Sequence, residues 1–406
     1  MKIKNSAGGG IMIQVDKQHP ERCCGCTACA SACPQRCIAM NADEEGFLYP
    51  QIDSEQCSQC GICEKVCPIL HRPALGTHQA AVALRAKDRE VLAGSTSGGS
   101  FTPLANAVLK EGGLVFGAAF TEDFCVAHRV ADRREAVAAF RGSKYVQSEL
   151  TGVFAQVKSA LRDQKTVLFS GMPCQVAGLK SFLGKEYDNL FCVDLICFGV
   201  SSPLVWKKYR EEMSQRFSAD LSEVAFRKKT YGYHSGTMAI RFSNGRYYTG
   251  SGRVDGMLKS FYSKISLRPS CYQCTFKTME RESDLSLFDC WHASDLVENL
   301  VDDDRGYTTV LVHSEKGADL LRRADSEIER YPIDAARAVQ LDGTMVCGRT
   351  AAHPQRDMFY KVLTENTLSQ TVQQLIPVRL LDHVLEKSKA LVYRMGLLRI
   401  VHKIKR

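Results

Sequence analysis

Residues 23–34 read CCGCTACASACP, and residues 57–68 read CSQCGICEKVCP. Both stretches share one spacing, Cys-x2-Cys-x2-Cys-x3-Cys-Pro. It is filled first by Cys23, Cys26, Cys29 and Cys33, then by Cys57, Cys60, Cys63 and Cys67. A thiolate at every third residue of a tight loop reaches three corners of an iron–sulfur cube, because the loop curls around it. The fourth thiolate starts a helix and faces the other cube, so each copy lends a ligand to its neighbour. The spacing therefore predicts one [4Fe–4S] centre on Cys23, Cys26, Cys29 and Cys67, and a second on Cys57, Cys60, Cys63 and Cys33. A zinc site would call for two CxxC pairs around one tetrahedral ion. Neither zinc nor a disulfide framework accounts for three evenly spaced thiolates followed by Cys-Pro, twice. The segment reads as a bacterial-type two-cluster ferredoxin domain over residues 1–72.

Eighteen cysteines in 406 residues indicate disulfides only in a short secreted chain. The opening residues MKIKNSAGGGIMIQVDKQ lack the continuous apolar stretch of a secretory leader, and no other run approaches a membrane span. The expected compartment is the reducing cytoplasm. The formal charge of +8 is uneven. From Arg379 onward eight cations stand against Asp382 and Glu386, a net +6. Apolar residues from Leu380 to Val401 recur among those charges at helical spacing. One reading is a helix packed on the body with a solvated basic face; the other is docking to an anionic membrane surface or acidic partner. Nucleic acid is not an expected partner, because the rest of the chain is nearly neutral.

Beyond a linker, HRPALGTH (71–78), the pattern changes to alternating strands and helices. Strands are predicted at 79–85, 113–120, 166–171 and 190–199, with helices at 100–111, 149–163, 174–183 and from about Pro203. Units of this kind imply an α/β sheet covered by helices. The fold class expected is α+β to α/β: the ferredoxin domain, a mixed α/β domain over 73–320, and a helical region over 321–406.

Four cysteines of the second domain fall where loops should meet strand ends: Cys174 in SGMPCQ, Cys197 in LICFG, and the CxxC pair Cys271 and Cys274. Two singles and a pair make a third cluster site or four small core residues, and spacing does not separate the two. Cys192 alternates with Cys197 along its strand and points elsewhere, while Cys24, Cys37, Cys125, Cys290 and Cys347 follow no pattern. Ser97, Gly98, Gly99 and Ser100 precede an apolar-periodic helix, where bare amides and the helix dipole suit a phosphate. No GxGxxG follows a strand, so a Rossmann dinucleotide site is not indicated. Ser143, Lys144, Tyr145 and Gln147, and Gly171, Pro173 and Gln175, add two polar turns that are either cofactor contacts or well-bonded surface turns.

The order of TSGGSFTPLA, GSKYVQS, VLFSGMPCQVAGLKSFLG, VDLICFGVSSP, AFRKKTYGY and RPSCYQCTFKTMERESDLSLFDCW resembles the coenzyme F420 hydrogenase/dehydrogenase beta-subunit family. More specifically, it resembles bacterial members that carry an N-terminal two-cluster ferredoxin. The resemblance implies FAD beside a further [4Fe–4S] cluster held by Cys174, Cys197, Cys271 and Cys274. It also implies that the Ser-Gly-Gly loop, the Lys-Tyr motif and the Pro-Cys-Gln turn line the flavin. The chain departs from that pattern at Phe198, where a histidine is usual, and at Phe288 and His292, where glycines are usual.

Clusters carry one electron at a time and hydride carriers move two, so a flavin must stand between them. The function expected is a flavin-dependent iron–sulfur oxidoreductase linking a hydride carrier or organic substrate to one-electron centres, in either direction. The alternatives are an electron-transfer module serving a separate catalytic protein, and a ferredoxin-driven reductase of a sugar or glycan precursor. The expected partners are a redox protein or a hydride-carrying coenzyme.

Overall fold

The computed structural model describes residues 21–77 and 80–395. The opening stretch read above for a leader, the first residue of the predicted strand at 79 and the basic residues 399–406 lie outside them.

The ferredoxin segment holds an antiparallel hairpin of β1 (Ile38–Ala42) and β2 (Leu48–Ile52), with short helices at Ala28–Ala32 and Ile62–Lys65. These helices occupy the Cys-x2-Cys-x3-Cys stretches, as the spacing requires. Apolar side chains are few here. One small cluster of Cys37 and Ile38 is flanked by Cys29, Cys33, Ile52, Cys57 and Cys63. Phe47 and Tyr49 are instead buried in the core of the second domain.

The second domain is built on an eight-stranded mixed sheet. Its strands are β3 (Ala80–Ala86), β4 (Leu114–Phe120), β5 (Val126–Ala131), β6 (Val167–Gly171) and β7 (Leu190–Leu195). A side sheet follows in β8 (Leu221–Lys228), β9 (Thr237–Phe242) and β10 (Tyr247–Gly250). The chain then returns to the main sheet with β11 (Leu285–Cys290), β12 (Tyr307–Val312) and β13 (Ile328–Ile333). The main sheet runs β13-β3-β12-β11-β7-β6-β4-β5. Strands β11, β7, β6 and β4 are parallel, and antiparallel strands complete both sides. The central strands carry apolar residues at consecutive positions because both faces are covered, and β12 is buried along its whole length.

Two sequence expectations change. The strand predicted to 199 ends at Leu195, and residues 196–199 form a loop, which frees Cys197 from the ladder. The helical region predicted over 321–406 contains a strand after the end of the helix Glu315–Arg323, since β13 pairs antiparallel with β3 from Ile328 to Ile333. Its sequence IERYPI alternates buried and exposed positions at an edge, where Pro332 is tolerated. Helices then follow at Ala335–Asp342, Arg356–Glu365, Leu368–Leu375 and Leu380–Arg394. No helix among the described residues is long and apolar enough to cross a membrane.

Candidate iron–sulfur and cofactor site

Ligand crevices of parallel sheets open at the carboxyl ends of the strands. Strand β6 ends at Gly171, and the helix Pro173–Leu183 starts at once with proline in its first turn. Pro173 fits there because the first turn of a helix needs no amide donor. Cys174 therefore lies at a helix N-terminus, where the dipole favours a thiolate. Neighbouring β7 ends at Leu195, and its following loop brings in Cys197. A short helix, Pro269–Tyr272, and the turn after it supply Cys271 and Cys274.

All four cysteines line one cavity of about 300 Å³, together with Phe198, Arg268, Lys277 and Arg281. Among the described residues no three His, Cys, Asp or Glu side chains converge on a point suited to a single metal ion. The thiols ring a volume instead. Burial pushes Cys271 up to about 11 and Cys197 higher, with their cysteine neighbours raising both further. Such a ring ionises only if positive charge enters it, which suits iron. Arg281 supports the same fit. It is 1% exposed, and its Nε has no hydrogen-bond partner.

A fifth sulfur faces this cavity, and sequence reasoning missed it. Cys24, read above as lacking any pattern, lines the cavity and lies within hydrogen-bond reach of both Cys174 and Cys26. Its signal was the doubled Cys23-Cys24, but only the docking of two domains gives that doubling a meaning. The docking surface is the helix Pro173–Leu183. Positions 174 and 178 fall on one face of a helix. A Cβ on Gly178 would come within 2.7 Å of Cys26 Cβ and 2.9 Å of its Sγ. Cys24 therefore meets Cys174 while Cys26 rests on Gly178, one turn further along.

Arg268 locks this contact. It is 1% exposed, and it donates from Nε to Cys23 O (2.9 Å), from Nη1 to Gln147 Oε1 (3.2 Å) and from Nη2 to Leu48 O (3.1 Å). Its guanidinium also lies 4.0 Å over the Tyr49 ring. Gln147 accepts from Leu48 N as well, so its carbonyl belongs to the domain joint. Within the ferredoxin, Cys23, Cys29 and Cys67 are mutual electrostatic neighbours. Cys29 has Cys63 as a further such neighbour. Cys33 lies beside Cys37 at 3.4 Å, and Cys37 in turn neighbours Cys57.

The residues assigned to a flavin from sequence divide. Ser143 donates from N and Oγ to Thr96 Oγ1, which joins its turn to the Ser-Gly-Gly loop. Ser97 donates to Tyr307 O at 2.6 Å, and Ser100 is buried. Gly98 has its amide committed to Thr308 Oγ1. A Cβ there would meet Leu84 O at 2.5 Å, so the glycine serves close packing onto β3 and β12. Gly99 would meet only side chains of its own neighbourhood. Lys144 points Nζ at the carbonyls of Arg141 and Gly142, and burial pulls it down to about 8. Tyr145 stacks on Phe261 at 4.3 Å.

Gln175 accepts from Met172 N and donates to Ser148 Oγ, which bonds His128 Nδ1; His128 donates from Nε2 to Ser170 O. This buried chain braces the Gly171–Pro173 turn from behind. Burial holds His128 neutral, with its pKa lowered to about 4.

Beside the Ser-Gly-Gly loop lies a larger cavity of about 900 Å³, lined by Arg89, Lys228, Lys229 and Arg305 among others. Lys229 donates to the carbonyls of Leu92, Ser97 and Arg305 and so clips the loop to this wall. Arg227 pairs with Asp289 at 2.6 Å and lies 4.6 Å over Trp291, which stacks on Tyr233. The second terminal nitrogen of Arg227 is buried without a partner. Two of the three departures from the expected pattern turn inward. Phe288 packs with Ala81, Leu311 and Val346, and His292 bonds Asp342 at 2.6 Å. Phe198 remains at the cavity, with its ring 5.2 Å from Phe261.

Parts of this chain are similar to known proteins. Residues 164–335 match the C-terminal region of the coenzyme F420 hydrogenase/dehydrogenase beta-subunit family, and residues 22–69 match the 4Fe-4S dicluster domain. An uncharacterized protein of Methanocaldococcus jannaschii is 25% identical over 348 residues, covering 75% of this chain and 86% of that protein. A chain of the F420-reducing [NiFe] hydrogenase complex from Methanosarcina barkeri aligns at TM-score 0.42 and 20% identity. That alignment covers 74% of this chain and 94% of the other.

Proposed function

We infer that the chain, whose residues 164–335 match the coenzyme F420 hydrogenase/dehydrogenase beta-subunit family and whose residues 22–69 match a 4Fe-4S dicluster domain, is an iron–sulfur electron-transfer oxidoreductase of that family. From that premise we propose that it is a flavoenzyme with three [4Fe–4S] clusters, exchanging electrons between a hydride carrier or organic substrate and one-electron centres. The observation that carries the reading is the cavity lined by Cys174, Cys197, Cys271 and Cys274, in contact with the ferredoxin through Cys24.

Those four thiolates would hold the interior cluster, and Lys277 and Arg281 at the cavity wall would offset its negative charge. Cys23, Cys26, Cys29 and Cys67 would hold the nearer ferredoxin cluster, and Cys33, Cys57, Cys60 and Cys63 the outer one. Arg268 fixes the spacing between the two domains, and the helix starting at Pro173 presents Cys174 on the face that meets Cys24 and Cys26.

FAD fits the region beside the Ser-Gly-Gly loop, on two grounds. The 900 Å³ cavity is lined by Arg89, Lys228, Lys229 and Arg305 against Asp303 and Asp304, an excess of cations, and Arg227, next in sequence to Lys228, keeps a buried donor without a partner, which an anionic group could take. When bound, a flavin supplies the conversion between two-electron and one-electron transfer. The protein's part is positional: Lys229 holds the loop, Thr96 and Ser143 join it to the Lys144–Tyr145 turn, and the aromatic group around Tyr145 and Phe261 excludes water.

Anaerobic purification with iron, sulfide and flavin quantitation tests the reading. About twelve irons per chain are expected at four per cube, together with one flavin. About eight irons would remove the interior cluster, by the same count of four per cube. Absence of flavin from an iron-replete protein would favour the electron-transfer module.

A further inference from the structure

The helix Leu380–Arg394 lies on the body with its apolar side outward. Both of its acids face the protein. Glu386 accepts from Ser251 N at 3.0 Å and from Ser251 Oγ at 2.5 Å, and Asp382 lies 3.9 Å from Lys259. Lys389 stands over the Tyr231 ring, and Tyr393 meets the same ring edge-on. Leu380 (86% exposed), Leu381 (64%), Val384 (60%), Leu391 (59%) and Met395 (60%) are left in the open.

Their spacing makes the arrangement specific. Leu380, Val384, Leu391 and Met395 recur at helical intervals and form one stripe, with Leu381 and Leu385 beside it. An isolated exposed leucine needs no explanation, but a continuous stripe of this kind does. The charge pattern says what covers it. Because the two acids are consumed by Ser251 and Lys259, the outward surface keeps the cations and loses its anions. Lys387 is exposed on the same face, between Val384 and Leu391. The sequence beyond the helix, GLLRIVHKIKR, adds Arg399, Lys403, Lys405 and Arg406 among further apolar residues. An acidic protein surface would be served by the cations alone. A neutral apolar partner would be served by the stripe alone. An interface that combines both, an apolar boundary beneath a negative surface, is an anionic lipid bilayer.

We propose that the Leu380–Arg394 helix seats this enzyme peripherally on anionic membrane surfaces, with Leu380, Val384, Leu391 and Met395 entering the headgroup boundary. The helix lies in the membrane plane and keeps its polar side on the body. The proposal stands apart from the cluster assignments; the helix touches the 900 Å³ cavity through Tyr393, which the variants below leave in place.

Vesicle flotation with the full-length, iron-loaded protein tests it. The probes are phosphatidylcholine vesicles and vesicles in which about one third of the lipid is phosphatidylglycerol, since anionic headgroups set the attraction. Binding is expected only to the second kind, falling severalfold as salt rises from low to physiological strength. Val384→Asp with Leu391→Asp should lower binding at least tenfold while leaving iron content and the visible spectrum unchanged. Lys387→Glu should weaken binding by a smaller factor that high salt abolishes. Equal binding to both vesicle types, no binding to either, or unaltered binding of the double variant would overturn the proposal. So would a dimer in solution that the double variant dissociates without any vesicle binding, or capture by soluble polyglutamate in preference to anionic vesicles.

Discussion

The ferredoxin segment and the main sheet both gather cysteines, but they do so by opposite means. In the ferredoxin, ligands three residues apart meet because the local loop curls, and little apolar packing is needed beyond Cys37 and Ile38. Around the sheet, Cys174, Cys197, Cys271 and Cys274 span a hundred residues of sequence and meet only because β6 and β7 are adjacent. The first site is encoded in spacing, and the second in a hydrophobic core with several layers of buried Leu, Val and Phe. A local site survives damage to the fold around it, whereas a site assembled from distant loops depends on every contact that aligns them.

The comparison is broken most sharply at the ligands. Cys271→Ser with Cys274→Ser should remove about four of about twelve irons, at four per cube, and leave the signals of the ferredoxin pair. Cys24→Ser should leave the iron count unchanged, because four other thiols complete the interior set. Iron loss in that variant would make Cys24 a ligand. Iron analysis with electron paramagnetic resonance reads both results.

The joint between the two regions comes next. Arg268→Ala strands Cys23 O and Leu48 O in a buried interface, a loss of about 3 kcal/mol for a buried charged donor with several acceptors. The variant should unfold earlier in denaturant, and proteolysis should cut in the linker HRPALGTH before the sheet domain yields. A single unchanged transition would show that the ferredoxin does not rely on this clamp. A smaller effect is expected of Gly178→Ala, whose new Cβ would press on Cys26. Overpacking of this kind costs about 1–3 kcal/mol. It should perturb the spectrum of the nearer ferredoxin cluster and spare the Cys271–Cys274 site.

The smallest effect is set by pH. His128 is buried neutral with its pKa lowered to about 4, below the ordinary value of 6.5. Between those two values the unfolded chain binds the proton and the folded chain does not, so stability falls as pH is lowered through that window. The slope is about 1.4 kcal/mol per pH unit at most. His128→Asn should flatten the stability profile between about pH 6.5 and about pH 5, the range in which a free imidazole takes up its proton. Thermal unfolding across that range measures it. A profile as steep as that of the unsubstituted protein would assign the acid sensitivity elsewhere.

Legibility followed the same division. The two-cluster ferredoxin segment, the βα units and Cys174 at a helix start were readable, because each depends on residues close in sequence. Cys24 was not, since its doubling with Cys23 acquires a role only when Arg268 and Gly178 bring two domains into contact. Gly98 was read as a phosphate cradle from its place before a helix. The structure gives its amide to Thr308 and its missing Cβ to the backbone of β3. A Gly98→Val change would therefore disturb packing first, and Gly99 is held as glycine by its left-handed backbone at φ 74°.

By itself the sequence determined the doubled dicluster cysteine spacing, the alternation of strands and helices, and the concentration of positive charge after Arg379, because spacing, periodicity and formal charge are properties of the chain alone. Only the tertiary structure decided that β13 closes the sheet, that five sulfurs line the interior cavity, and that the last described helix turns its acids inward and its leucines outward. Each of these depends on which distant surface a segment packs against. That choice is made by the free energy of the whole core and not by any local stretch.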